Sequence, residues 1–145
     1  MKIAIGCDHV AVELKNDVIQ HLKKRDFEVI DCGTYTEERT NYPEFAHKVC
    51  EKIQNNEVKY GVLICGTGIG MSIAANKHSG IRAVACSDTF SAKASKQHND
   101  SNVLCFGARV VGKELAFDIV DSFLNAEYQG GRHQIRIDML NELDI

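Results

Sequence analysis

The chain has 145 residues, 44% of them hydrophobic, so we predict one domain over residues 1–145 with a single core. Its 17 basic and 20 acidic residues are interleaved and give a net charge of −3, which argues against nucleic acid or a membrane as a partner. No segment has transmembrane length, and the first apolar run meets Asp8 and His9 too early for a signal peptide, so we expect a cytoplasmic protein.

Short apolar runs alternate with segments of helical period along the chain. Five runs rich in Val and Ile predict strands, and they are KIAIG, FEVIDCG, YGVLICG, IRAVACS and NVLCFG. Apolar positions at helical spacing predict helices, and they are Leu14, Val18 and Leu22; Phe45, Val49 and Ile53; Ala116, Ile119, Val120 and Phe123; and Ile135, Met139 and Leu143. Pro43 suits the first turn of the second helix. The alternation predicts a Rossmann-like, three-layer α/β/α fold with a five-stranded parallel sheet and a C-terminal helix.

Ligands of open parallel sheets bind outside the carboxyl ends of the strands, so the residues after each run are the candidates for a site. The first strand ends in Cys7, Asp8 and His9, and the fifth ends near Gly107 and Arg109. Strand three ends in CGTGIG, residues 65–70, and leads into the helical segment GMSIAANK.

The six cysteines do not form a recognisable disulfide or metal motif. Four of them, Cys7, Cys65, Cys86 and Cys105, lie in or at the end of predicted strands, and no CxxC pair occurs. Cysteine and histidine are scattered singly among different elements, whereas a zinc site needs clustered ligands. We therefore expect reduced cysteines and no metal.

The segment CGTGIG has three interpretations. Gly66 and Gly68 match two glycines of the dinucleotide fingerprint, and Asp88 suits its acidic residue, but Met71 occupies the place of the third glycine. A simple turn is the second interpretation. The third is a reactive cysteine, because a helix N-terminus favours the thiolate form of Cys65, and the N–H groups of residues 66–70 could stabilise an oxyanion beside it.

Histidine and arginine supply two further candidate groups. His98 and Asn99 lie in the polar run SKQHNDSN, where a neutral imidazole could act as an acid or base near pH 7, although an isolated histidine is often structural. We assign His21, His47 and His78 to solvated helix faces.

In YQGGRHQIRID, Arg132 and Arg136 stand at i, i+4 spacing and share a helix face. Two guanidinium groups on one face suit a phosphate monoester, and Arg109 could join them, although a pair of surface arginines is also usual.

Five segments in order resemble the type B ribose-5-phosphate isomerases, which are grouped with allose-6-phosphate and galactose-6-phosphate isomerases. They are GCDH, GTYTEERTNYP, LICGTGIGMSIAANK, KQHNDSNVLCFGARVVG and EYQGGRHQIR. The resemblance implies that Cys65 is the base that moves a proton between two sugar carbons, that His98 assists ring opening, and that Asp8 and Thr67 orient the reacting groups. It also implies substrate-binding residues, which are Asp8, His9, Gly66, Thr67, Gly68, Ile69, Gly70, Asn99, Arg109, Arg132 and Arg136.

The resemblance further implies a homodimer or homotetramer with active sites at the subunit interface, a sugar phosphate as substrate and no cofactor. Galactose-6-phosphate enzymes of the family look like two-chain assemblies that divide the cysteine loop from the histidine and arginine segments. This chain has both, which favours ribose 5-phosphate. Some members place an acidic base where this chain has Met71, which cannot take a proton, so the role returns to Cys65. The alternatives are an allose- or galactose-6-phosphate isomerase, or a non-catalytic nucleotide-binding module.

Overall fold

The computed structural model describes residues 1–143, which form five strands and six helices. In chain order these are β1 Lys2–Cys7, α1 Val12–Lys24, β2 Glu28–Asp31, α2 Tyr42–Gln54, β3 Tyr60–Cys65, α3 Ile69–Asn76, β4 Ala83–Ala85, α4 Thr89–Asn99, β5 Val103–Gly107, α5 Lys113–Asn125 and α6 Arg132–Glu142. This alternation confirms the α/β fold class. The predicted single domain includes residues 144 and 145, which lie outside the described range.

The five strands form one parallel sheet in the order β2-β1-β3-β5-β4. β3 is central, and its register pairs Cys65 with Gly107 of β5 and Ile64 with Cys7 of β1. The carboxyl ends of β1, β3 and β5 are therefore neighbours. This brings the residues that follow Cys7, Cys65 and Gly107 to one edge of the sheet.

Apolar side chains of the sheet bury both of its faces, as the continuous apolar runs predict. Val62 and Ile64 of β3 point to the face covered by α1 and α5, and Leu63 and Cys65 point to the face covered by α2 and α3. The predicted apolar faces of α1 and α5 are buried in the first of these layers. Each fully buried Leu, Ile or Phe stabilises the fold by about 1.5–3 kcal/mol.

The predicted second and fourth strands are longer than those observed. The observed strands are Glu28–Asp31 for β2 and Ala83–Ala85 for β4. Both are short because they are the edge strands and have a neighbour on one side only. The free side of β4 is covered in part by Asn76, whose amide donates to the Ala83 carbonyl at 3.0 Å and accepts from the Ala83 N–H at 2.8 Å. A side chain thus replaces a strand neighbour at this edge.

The predicted apolar face of α6 does not join the core. Ile135, Met139 and Leu143 are 65%, 60% and 72% exposed, whereas His133 and Ile137 are the buried residues of this helix. α6 packs mainly on α4, with the face that carries His133 and Ile137 turned inward. Periodicity finds a helix face correctly here, but within residues 1–143 nothing covers that face.

Three smaller predictions also meet the structure. Pro43 lies in the first turn of α2, as predicted, and all six cysteines are free, although Cys86 is only half-buried just after β4. The assignment of His21 to a solvated face is wrong, because its ring stacks on Phe117 at 4.3 Å and contacts Asp121 at 2.8 Å. No helix within residues 1–143 has the length and apolar character that crossing a membrane requires.

Candidate active site

The loop after β3 places a backbone donor at the sulfur of Cys65. Cys65 is the last residue of β3 and is buried, and α3 begins only four residues later at Ile69. The Gly68 N–H donates a hydrogen bond to the Cys65 sulfur at 3.1 Å. The sulfur therefore accepts a backbone hydrogen bond just before the start of a helix, which is the kind of setting in which reactive cysteines occur.

The glycines of this loop let its backbone pack against β5. Gly68 has φ +83°, and a Cβ there would lie 2.7 Å from the Phe106 Cα. A side chain at Gly107 would overlap the Thr67 backbone. The Ala108 N–H also donates to the Cys65 carbonyl at 2.8 Å. This hydrogen bond fixes the start of the loop to the residue that follows β5. Close backbone approach explains these glycines without a nucleotide.

Two further observations disfavour the dinucleotide interpretation. Met71 is fully buried in the layer under α2 and α3, so a bulky side chain fills the place where that motif needs a small residue. Asp88 caps α4, accepting a hydrogen bond from the Ser91 N–H at 2.6 Å, and this contact lowers the pKa of its carboxyl. Asp88 thus has a structural partner on the edge strand's side of the sheet.

Asp8 and His9 lie beside this loop at the carboxyl end of β1. The Asp8 N–H donates to the Ile64 carbonyl at 3.2 Å, and its buried carboxylate accepts from the Val10 N–H at 3.0 Å. The Thr40 N–H donates to His9 Nδ1 at 3.2 Å, so Nδ1 is the acceptor and the proton of a neutral ring lies on Nε2. His9 is thus held as an N–H donor.

The same edge carries Arg109 and one residue that the sequence did not indicate. Arg109 is exposed, and its side chain passes within 3.6 Å of the position that a Cβ of Gly66 would occupy. The ring of Tyr42, at the start of α2, covers Gly70 so closely that an added Cβ would lie 2.7 Å from it. We call the residues Asp8, His9, 65–70 and Arg109 the Cys65 group.

His98 and Asn99 lie at the opposite end of the sheet, beside the amino ends of its strands. They end α4, which runs back from the carboxyl end of β4. Arg82 donates to the Asn99 carbonyl at 3.0 Å, and Arg82 and Gly61 both contact Asn102 at the amino ends of their strands. Cys65 is four residues beyond Gly61 along β3, or about 13 Å at the usual rise of a strand. A single chain therefore does not bring His98 to Cys65.

α6 adds its arginines to His98. The His133 ring stacks on the His98 ring with centroids 4.6 Å apart, which places the exposed Arg132 and Arg136 next to the end of α4. Burial lowers the pKa of His133, and the neighbouring His98, Arg132 and Arg136 lower it further. We call His98, Asn99, Arg132, His133 and Arg136 the imidazole–arginine group. Sequence reasoning missed His133, although it shares a helix face with Ile137 at four-residue spacing.

Comparison with known proteins identifies the family of this chain. The family model described as Ribose/Galactose Isomerase matches residues 3–140. The chain is 56% identical over 143 residues to ribose-5-phosphate isomerase B of Escherichia coli strain K12, covering 99% of this chain and 96% of that protein. It superposes on Clostridium thermocellum ribose-5-phosphate isomerase B with a TM-score of 0.98 at 51% identity, covering 99% and 97% of the two chains. The Mycoplasma genitalium enzyme, solved with bound ribulose-5-phosphate, gives a TM-score of 0.93 at 41% identity, covering 97% and 94%.

Proposed function

Because the chain belongs to the Ribose/Galactose Isomerase family and is an aldose–ketose isomerase of sugar phosphates, we propose that it interconverts ribose 5-phosphate and ribulose 5-phosphate. The observation that carries this proposal is the presence of both residue groups in one chain, a thiol that accepts a backbone hydrogen bond and an imidazole beside two arginines. These are the parts that proton transfer between adjacent carbons of a phosphorylated sugar requires.

Cys65 acts as the base in this proposal. Its thiolate takes the proton from C2 of the open-chain aldose, and the electrons of that C–H bond form the C1–C2 double bond of an enediolate. The N–H groups of residues 66–70 hold the developing oxyanion. The hydroxyl proton of O2 then passes to O1, and the thiol returns its proton to C1 to give the ketose. Asp8 and Thr67 orient these oxygens.

The other cysteines of the core lack this setting. Burial raises the pKa of Cys7 and of Cys50 to about 12 and that of Cys105 further above its usual value. A buried thiol without a donor remains protonated and inert at neutral pH. The Gly68 N–H at the Cys65 sulfur is therefore the feature that distinguishes the proposed base from its neighbours.

A second copy of the chain supplies the remaining groups in this proposal. His98 of that copy assists ring opening, and its Asn99, Arg132 and Arg136 bind the substrate and its phosphate. His9 and Arg109 of the Cys65 group also bind the substrate. The separation of Cys65 from His98 in one chain supports this division, since neither group holds all the parts of the reaction.

Comparative kinetics test the substrate. We expect the highest kcat/KM with ribose 5-phosphate, and values lower by about 10–200-fold with allose 6-phosphate, since one extra carbon is worth about 1–3 kcal/mol. Galactose 6-phosphate should be poorer still, and a chelator should leave the rates unchanged. Faster turnover of either six-carbon sugar would contradict the proposed substrate while leaving the proton-transfer chemistry intact.

A further inference from the structure

Two histidines face each other on the surface formed by α2 and the end of α3. His47 belongs to α2, and His78 follows α3 by two residues. His47 Nδ1 lies 2.9 Å from His78 Nε2, with the ring centroids 5.1 Å apart. The sequence assigned both residues separately to solvated faces, and only the fold brings them together. Neither residue belongs to the Cys65 group or to the imidazole–arginine group.

The second nitrogen of each ring already has an oxygen partner. His78 Nδ1 lies 3.0 Å from the Ala74 carbonyl, which only accepts, so Nδ1 carries the proton and Nε2 presents a lone pair. His47 Nε2 lies 3.5 Å from the carboxylate of Glu51, one turn further along α2. A carbonyl or carboxylate behind the ring is the usual support of a metal-ligating histidine, because it fixes the tautomer and raises the basicity of the free nitrogen.

The distance between the two facing nitrogens suits a metal ion with right-angled bonds. Two nitrogens, each about 2.0–2.1 Å from one ion and at right angles, stand about 2.9 Å apart, whereas a tetrahedral angle needs about 3.3 Å. Right-angled coordination is typical of Ni²⁺ and Cu²⁺. His47 Nδ1 donates a hydrogen bond to the His78 lone pair, and a bound ion takes the place of that proton, which leaves to solvent. The His47 side chain is 56% exposed, so water can complete the coordination.

The backbone under both rings is fixed. The Gln54 amide at the end of α2 donates to the Ser79 carbonyl at 3.0 Å, which ties α2 to the turn that carries His78. Cys50 lies one helix turn from His47, but it is fully buried, and burial raises the pKa of its thiol to about 12. No group of three or more His, Cys, Asp or Glu suited to a metal ion occurs within residues 1–143, so water must supply the other ligands.

We propose that His47 and His78 form a surface site for a divalent transition-metal ion of the Ni²⁺ or Cu²⁺ class, with Glu51 and the Ala74 carbonyl orienting the two rings. The site links α2 to the end of α3. We expect it to be independent of the isomerase reaction, because the polar contacts of the two imidazoles are with each other, Glu51 and the carbonyls at the end of α3, and not with the candidate active site.

Calorimetric titration of the full chain with nickel chloride tests the site, since Ni²⁺ does not oxidise the thiols as Cu²⁺ would. We expect one Ni²⁺ equivalent to bind at least about tenfold more weakly in His47→Gln and in His78→Gln, and Glu51→Gln to weaken it less. His21→Gln removes a histidine from the α1–α5 surface and should bind like the wild type. His47 is exposed, so its variant keeps the fold even if His78→Gln disturbs the end of α3.

Two results would overturn the proposal. One is Ni²⁺ affinity and stoichiometry in His47→Gln equal to those of the wild type, which would assign the bound ion to other ligands. The other is the absence of saturable Ni²⁺ binding by the wild type. Ions held elsewhere on the chain remain in His47→Gln and are subtracted by the comparison.

Discussion

The Cys65 group and the imidazole–arginine group are organised in opposite ways. Around Cys65, backbone hydrogen bonds and glycines packed on β5 fix the loop within one chain. His98 and the two arginines are instead exposed side chains near the contact between α4 and α6, where the His98 and His133 rings stack. The difference teaches that, under the proposed mechanism, one chain would preorganise the proton transfer by itself, whereas the groups proposed to bind the rest of the substrate are exposed and available to another copy.

Removing the Cys65 thiol should have the largest effect on activity. Cys65→Ala should lower kcat by about 10²-fold or more, because the proposed general base is lost. Sugar-phosphate affinity should change little, since the arginines remain. Steady-state kinetics and ligand-binding calorimetry measure the two effects.

Cys86→Ala is the matched control for this variant. Cys86 also lies near the end of a strand, although it is only half-buried. Burial raises the pKa of its thiol to about 11, and it has no part in the proposed site. Near-normal turnover in Cys65→Ala would refute the thiolate base.

Removing a guanidinium should affect binding more than chemistry. Arg132→Ala and Arg136→Ala should each raise KM by about 10–100-fold, since a hydrogen bond to a charged group is worth about 1.5–3 kcal/mol. The effect on kcat should be smaller. Arg25→Ala is the control, because Arg25 pairs with Asp121 at 2.8 Å between α1 and α5. Unchanged KM in both variants and in the double variant would exclude a phosphate clamp.

The close packing of the loop is tested by two glycines with similar backbone angles. Gly68 has φ +83° and lies against the Phe106 backbone, whereas Gly80 has φ +77° and nothing within 4 Å of an added Cβ. Both substitutions to Ala cost about 1–2 kcal/mol of left-handed strain, but only Gly68→Ala adds a clash. Denaturant unfolding should therefore show the larger loss for Gly68→Ala, with loss of activity. Equal losses would mean that the loop yields freely.

The smallest effect concerns the ring stack under the arginines. Burial and nearby positive groups lower the pKa of His133 below its ordinary value of 6.5. As the pH falls through that ordinary value, the unfolded chain takes up this proton more readily than the folded chain, so stability falls. His133→Asn should reduce this pH dependence, measured by urea unfolding between pH 5 and pH 8, with His47→Asn as the exposed control. An unaltered pH slope in His133→Asn would contradict the lowered pKa.

The sequence predicts those features that depend on local pattern. Strands, helices and the order of segments follow from periodicity, and the cysteine loop follows from its place between a strand and a helix. Strand order does not follow, because a period of two says nothing about which strand becomes a neighbour. The exposed face of α6 shows the same limit, since an apolar stripe predicts burial without indicating whether the same chain provides the cover.

The candidate site repeats this pattern. Cys65, Asp8 and His9 could be found because they lie at the carboxyl ends of predicted strands. Thr40, Tyr42 and His133 could not, because their contacts join segments far apart in the chain. The separation of His98 from Cys65 likewise becomes visible only when α4 runs back to the opposite end of the sheet.

The most direct test of the divided site is complementation between two inactive variants. Cys65→Ala and His98→Ala are co-expressed with different tags, and the mixed assembly is purified through both. If each site combines Cys65 of one copy with His98 of another, a mixed dimer has one intact site and should regain about half of the wild-type activity. Mixed assemblies as inactive as both parents would show that the two residues do not come from different copies.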